Sequence, residues 1–182
     1  MKQIRIASIT ASLTIFIFCI VAMVGCTKNS DLIINGTNIQ ACKNVVCYNG
    51  GTCLDGTCHC PAGFEGTDCN SKWNDRYTGN YSANDACASG NAYNVTISPV
   101  INRGDGILVN NISSFAPNVN LQGTLSPNKT TVNFAPQRFA DSLYISGTGT
   151  QTESKEFINI WLVARDTFHH SSSNCSIVLR KL

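Results

Sequence analysis

The chain has 182 residues, 13 basic and 11 acidic side chains, ten cysteines and 43% hydrophobic residues. That length supports one modest core plus a small appendage. The near balance of charge, with no basic cluster, argues against nucleic acid as a partner.

Residues 1–5 carry two positive charges, Lys2 and Arg5, and residues 6–24 are uncharged and mostly apolar. A basic start before an apolar run is the layout of a helical secretory signal. The run ends at Met23-Val24-Gly25-Cys26, which resembles a bacterial lipobox. That resemblance implies cleavage after Gly25 and acylation, palmitate included, of Cys26. The competing reading is an uncleaved anchor, since about 19 apolar residues nearly span a bilayer. An anchor, however, has no need of a cysteine after Gly. Removing residues 1–25 takes away Lys2, Arg5 and Cys19 and leaves 11 basic and 11 acidic residues. A neutral chain is then held on a membrane by its acyl chains. Thr27 stands where an inner-membrane retention signal would resemble Asp, so the expected location is the cell envelope at the outer membrane, with the periplasmic or surface orientation open. Residues 26–41, rich in Asn and Thr, read as a tether.

Residues 42–69 hold six cysteines, Cys42, Cys47, Cys53, Cys58, Cys60 and Cys69, and few aliphatic side chains. Such a segment buries too little apolar area to fold unaided, so cross-links must make up the difference. Cys58 and Cys60 beside His59 could mimic a zinc site, but zinc ligands come as two spaced pairs and no second pair exists. Disulfides, in an oxidising compartment, are therefore expected and a metal is not. The Asn49-Gly50-Gly51-Thr52-Cys53 turn and the closing run from Cys58 to Cys69 resemble the epidermal growth factor-like (EGF-like) module. The resemblance implies the pairs Cys42–Cys53, Cys47–Cys58 and Cys60–Cys69. Calcium-binding members carry acidic residues before the first cysteine. Here Asn38-Ile39-Gln40-Ala41 supplies no carboxylate, so calcium is not expected.

Residues 70–76 read as a linker, and residues 77–182 change texture. Cys87 and Cys175, an even remainder, predict one further bridge that ties the start of this region to its end. Alternating apolar and polar residues predict strands over 92–98, 118–125, 130–134, 142–148 and 174–182, and residues 77–82 and 107–112 are further candidate strands. Residues 157–164 are apolar on both faces, which predicts a central strand. Residues 103–106 and 126–129 read as turns. Eight strands with short connections and no helical periodicity beyond the signal predict an all-β antiparallel domain. A barrel, lipocalin-like, is preferred to a sandwich because it leaves no exposed edges. The lipobox, the cysteine-rich module and the phrase from Tyr77 to Cys87 (YTGNYSANDAC) together resemble a recurrent type of small Bacteroidetes lipoprotein. The resemblance implies placement and fold, and no activity.

His169-His170, with Asp166 and Ser171-Ser172-Ser173, has the composition of a catalytic triad. No strained nucleophile turn accompanies it, and a solvated hairpin loop is the simpler expectation. Glu153 and Glu156 flank a turn with Lys155 rather than a cleft. Arg103-Gly104-Asp105 matches an adhesion tripeptide, and Asp141-Ser142-Leu143 resembles a short Bacteroidetes O-glycosylation motif. No catalytic residue and no cofactor is expected. The expected role is non-catalytic binding of a protein partner, a carbohydrate or a small apolar ligand, with the EGF-like module as spacer or interaction unit. A structural part in envelope assembly is the alternative, and a hydrolase a distant one. A ligand site inside the barrel or at its mouth would be lined by aromatics such as Phe134, Tyr144 and Trp161.

Overall fold

The computed structural model describes residues 33–34, 37–87, 92–112 and 119–182. The expected signal, Cys26 and most of the expected tether lie outside them. The chain divides into two compact units, Met1–Gln40 and Ala41–Leu182. In the first, strand β1 (Ile33–Ile34) pairs with β2 (Thr37–Asn38).

The second unit opens with the disulfide-rich module. Strands β3 (Thr52–Leu54) and β4 (Thr57–His59) form a hairpin. Its turn residues, Asp55 and Gly56, both have positive φ, 49° and 81°. A two-residue turn of that hand matches the twist of the paired strands, and Asp-Gly suits it. Strand β5 (Phe64–Glu65) pairs with β6 (Ser71–Lys72). The cross-links are Cys42–Cys53, Cys47–Cys58 and Cys60–Cys69. Of the six, only Cys58 and Cys69 count among the buried residues, so the bridges stand in for a core.

The rest of the unit is a closed barrel. Its strands are β7 (Gly79–Asp85), β8 (Tyr93–Pro99), β9 (Gly106–Ile112), β10 (Val119–Leu125), β11 (Thr131–Arg138), β12 (Leu143–Gln151), β13 (Phe157–Asp166) and β14 (Ser171–Lys181). Each pairs antiparallel with the next, and β14 returns to pair with β7. Among the described residues there is no α-helix. The meander follows from the alternation in the sequence: in β10, Val119, Leu121, Gly123 and Leu125 point inward, and in β14 Cys175, Ile177 and Leu179 do the same. Burying each aliphatic chain contributes about 1.5–3 kcal/mol. Cys87–Cys175 joins β14 to the chain just past β7, so it ties the closing pair of strands together.

Residues 157–164 behave differently from expectation. Ile158, Ile160, Leu162 and Ala164 are buried, but Trp161 faces outward and is 51% exposed. Every strand of a closed barrel has two neighbours, so an apolar outward face is no sign of a second buried layer.

Residues 70–76, read as a linker, are structured. After β6, a single 3-10 turn (Trp73–Arg76) carries the chain into the barrel. The Trp73 amide donates to the Gly63 carbonyl at 2.9 Å, and the Asn74 amide donates to the Gly104 carbonyl at 2.9 Å. Asn74 is fully buried, and its side-chain amide donates to the carbonyls of Arg103 and Gly106, both at 2.8 Å. Gly63 and Gly104 meet backbone to backbone: a Cβ on Gly104 would collide with the Gly63 carbonyl, and one on Gly63 would sit 2.6 Å from the Asp105 nitrogen. Glu65 of the module accepts from Arg76 at 2.6 Å and is also paired with Lys129, whose ammonium lies 5.5 Å over the Trp73 ring. Module and barrel therefore share a hydrogen-bonded, desolvated contact.

Candidate functional site

The barrel interior is occupied by its own side chains. Tyr77, Tyr81, Ile97, Ile107, Leu121, Phe134, Leu162 and Ile177 are among those fully buried. Phe134 crosses toward Gly123, where a Cβ would lie 2.7 Å from the phenyl ring. Burial pushes the Tyr77 and Tyr81 phenols up to about 12. Each keeps its proton on a backbone acceptor: Tyr77 donates to the Lys129 carbonyl at 3.0 Å and Tyr81 to the Tyr77 carbonyl at 2.6 Å.

The three aromatics expected to line a cavity do not converge. Phe134 is inside, while Tyr144 and Trp161 stand on the outer wall. Strand parity decides this: Ile145 and Leu162 are inward, which sends their neighbours Tyr144 and Trp161 out.

Two shallow concavities lie on that wall. The larger, about 370 Å³, is lined by Pro136, Tyr144, Ser146, Arg165 and Thr167. The other, about 220 Å³, is lined by Arg103, Gln122, Thr124, Asn133, Ala135 and Gln137. Both arise from β11. Its register with β12 shifts between Phe134 and Gln137, a bulge at Ala135-Pro136, where proline has no ladder hydrogen to lose. On its other side β11 is registered with β10 only at Thr124↔Asn133 and Leu125↔Val132. Beyond that point the Gln137 side chain takes over. Its Oε1 accepts from the Gln122 amide at 2.9 Å, and its Nε2 donates to the Gln122 carbonyl at 2.8 Å. A side-chain amide thus substitutes for a strand backbone and holds the seam.

Arg138 and Arg165 are registered directly opposite Tyr144, one on each side. Arg138 is held by the carbonyls of Ala140 (3.2 Å) and Asp141 (3.1 Å) and by the Asp141 carboxylate (3.3 Å). Arg165 is exposed, and its guanidinium has no hydrogen-bond or ion-pair partner among the described residues. Neither arginine stood out in the sequence. The signal that could have found them is parity again, since Arg165 shares the outward phase of Trp161.

The hairpin between β13 and β14 brings Asp166 and His169 together, with Nδ1 2.5 Å from the carboxylate. Hydrogen bonds from His169 and Ser142 hold the Asp166 carboxyl well below its ordinary range, and the Phe168 and His169 amides add to them. Ser142 bonds the aspartate rather than the imidazole, the ring is mostly exposed, and Ser171–Ser173 belong to β14. An Asp–His pair is present, but none of the described hydroxyls is bonded to the far ring nitrogen. Glu153 and Glu156 are exposed on the turn between β12 and β13.

Arg103-Gly104-Asp105 is not a presented loop. Arg103 and Asp105 bond each other at 3.1 and 3.2 Å, and Gly104 is buried against the module. Asp85, Cys87 and Cys175 cluster within 4.8 Å, yet both sulfurs are in the bridge and the Asp85 carboxylate accepts from the Cys87 amide and the Tyr93 hydroxyl. Cys26 lies outside the described residues. No protein-family model matches this chain, and no curated protein sequence matches it.

Proposed function

We propose that this chain is a non-catalytic, lipid-anchored protein of the cell envelope, tethered at Cys26, that binds carbohydrate on the outer wall of its barrel. The EGF-like module is then a rigid base for the barrel rather than a swinging spacer. One observation carries the choice of ligand site. The interior is filled by buried side chains, whereas Tyr144 faces outward into a concavity with hydroxyls at Ser146 and Thr167, and Trp161 stands exposed on the outward phase of β13 that it shares with Arg165. Aromatic faces with nearby hydroxyls suit a sugar ring, which offers C–H groups on one face and hydroxyls at its edge. Trp161 lies four residues from Arg165, about 13 Å along the strand, a span that fits a short oligosaccharide. The lipid anchor and the outer-membrane location are proposed from the signal, the lipobox and Thr27.

The chain contains two tryptophans, Trp73 and Trp161. Trp73 is covered by Lys129, so ligand-dependent emission should report Trp161. Titration with soluble oligosaccharides should alter that emission, and Trp161→Phe should abolish the change. Micromolar uptake of a fatty acid, indifferent to Trp161→Phe, would instead place the ligand inside and overturn the outer-wall site. Cleavage after Gly25 with acyl mass on Cys26 is the expected processing; a full-length, unmodified chain in membranes would sink the anchor.

A further inference from the structure

We propose that the outer-wall site selects sugars bearing a carboxylate, that is, hexuronic acid units, with Arg165 as the anion-binding group; this rests on the carbohydrate reading above. The row Arg138, Tyr144, Arg165 runs straight across three strands. Residues directly opposite on neighbouring strands share a face, with Cβ atoms about 4.5–5.5 Å apart. Tyr144 is therefore an aromatic surface flanked by two guanidinium groups. Arg138 is already occupied by Asp141 and two carbonyls. Arg165 is not, although it lines the same concavity as Tyr144, Ser146 and Thr167.

The acidic groups close by do not neutralise it. Asp141 is engaged by Arg138, and Asp166, the next residue in the chain, is bonded to His169 and its own turn amides. An unpaired guanidinium presents a planar fork of donors that matches a carboxylate in bidentate fashion. A neutral sugar has no use for that fork. A uronate places its carboxylate at the edge of the ring, so the ring can lie on Tyr144 while the carboxylate reaches Arg165. Pro136 and the Ser146 and Thr167 hydroxyls then border the rest of the ring.

The test is calorimetry on the full chain with oligogalacturonate, its methyl ester, a hyaluronate oligomer, neutral dextran oligomers and dextran sulfate. At least one uronate should bind, and the ester and dextran should bind ten-fold or more weakly. Arg165→Gln should cost about ten-fold in uronate affinity with an unchanged melting temperature, and Arg165→Lys should not restore it. Equal binding of acid, ester and dextran overturns the carboxylate assignment and leaves the carbohydrate reading intact. Preference for dextran sulfate over both uronates overturns it in favour of a sulfate or phosphate group. Full affinity in Arg165→Gln overturns the role of that residue. Failure of every glycan, neutral and charged, removes the carbohydrate reading itself.

Discussion

The module and the barrel solve the same problem by opposite means. The module, residues 42–69, is held by three cross-links and buries almost nothing apolar. The barrel carries a single bridge and relies on a continuous inward layer from Tyr77 to Leu179. A short chain cannot lower its free energy enough by burial, so it limits its unfolded states instead. About a hundred residues can fill a core and need the covalent help only where the barrel closes. Between the two lies a contact built from neither device: Gly63 against Gly104, Asn74 donating to the carbonyls of Arg103, Gly104 and Gly106, and Glu65 between two cations.

If burial governs the barrel, the largest effect should come from its centre. Phe134→Ala should cost about 3–5 kcal/mol in urea unfolding, followed through Trp161 emission, while peptide mapping still finds the module bridges intact. A loss below 1 kcal/mol would mean the interior collapses around the gap and is not tightly packed.

If cross-links govern the module, replacing Cys60 and Cys69 together by serine should cost it roughly 2–4 kcal/mol. Amide exchange over residues 48–68 should accelerate, with the barrel midpoint nearly unchanged. An equal fall in the barrel midpoint would show that the shared contact makes one cooperative unit of both.

Alkaline pH should single out the barrel. Tyr77 and Tyr81 titrate at about 12 when folded against 10 as the ordinary value. Between those values the unfolded state loses the protons first, so stability is complete below pH 10 and falls as pH rises toward 12. The loss amounts to roughly 2–3 kcal/mol per phenol once both states are ionised. Tyr81→Phe should remove part of this dependence in pH-dependent melting; an unchanged alkaline limb would assign it elsewhere.

The smallest effect belongs to the contact between the regions. Hydrogen bonding from Lys129, with help from Arg76, holds the Glu65 carboxyl below its ordinary range. Its contribution is present above pH 4.5 and is lost as pH falls through the lowered value. Glu65→Gln should cost at most about 1 kcal/mol and flatten the acid limb of the melting curve. A cost several times larger would make this ion pair, rather than Asn74 and the two glycines, the fastener.

Much of the fold was legible because strand signals are local. The alternation at Val119, Leu121 and Leu125, or at Cys175, Ile177 and Leu179, needs only a two-residue period and a buried side to be read. The pairing of Cys87 with Cys175 was legible by elimination among ten cysteines. The candidate site was not legible. Trp161 and Tyr144 looked like cavity residues because large aromatics are usually inside, and only the inward assignment of Ile145 and Leu162 reverses that. Arg165 carried only the outward phase that it shares with Trp161, since its meaning comes from standing opposite Tyr144 on another strand.

By itself the sequence determined a cross-linked module followed by eight strands, since period, turn residues and cysteine spacing are properties of neighbours along the chain. Tertiary structure alone decided three things: that the barrel fills itself, that residues 70–76 clamp rather than link, and that two arginines flank one tyrosine. Those depend on strand register and on close approach between distant glycines, and neither is written in any local stretch of residues.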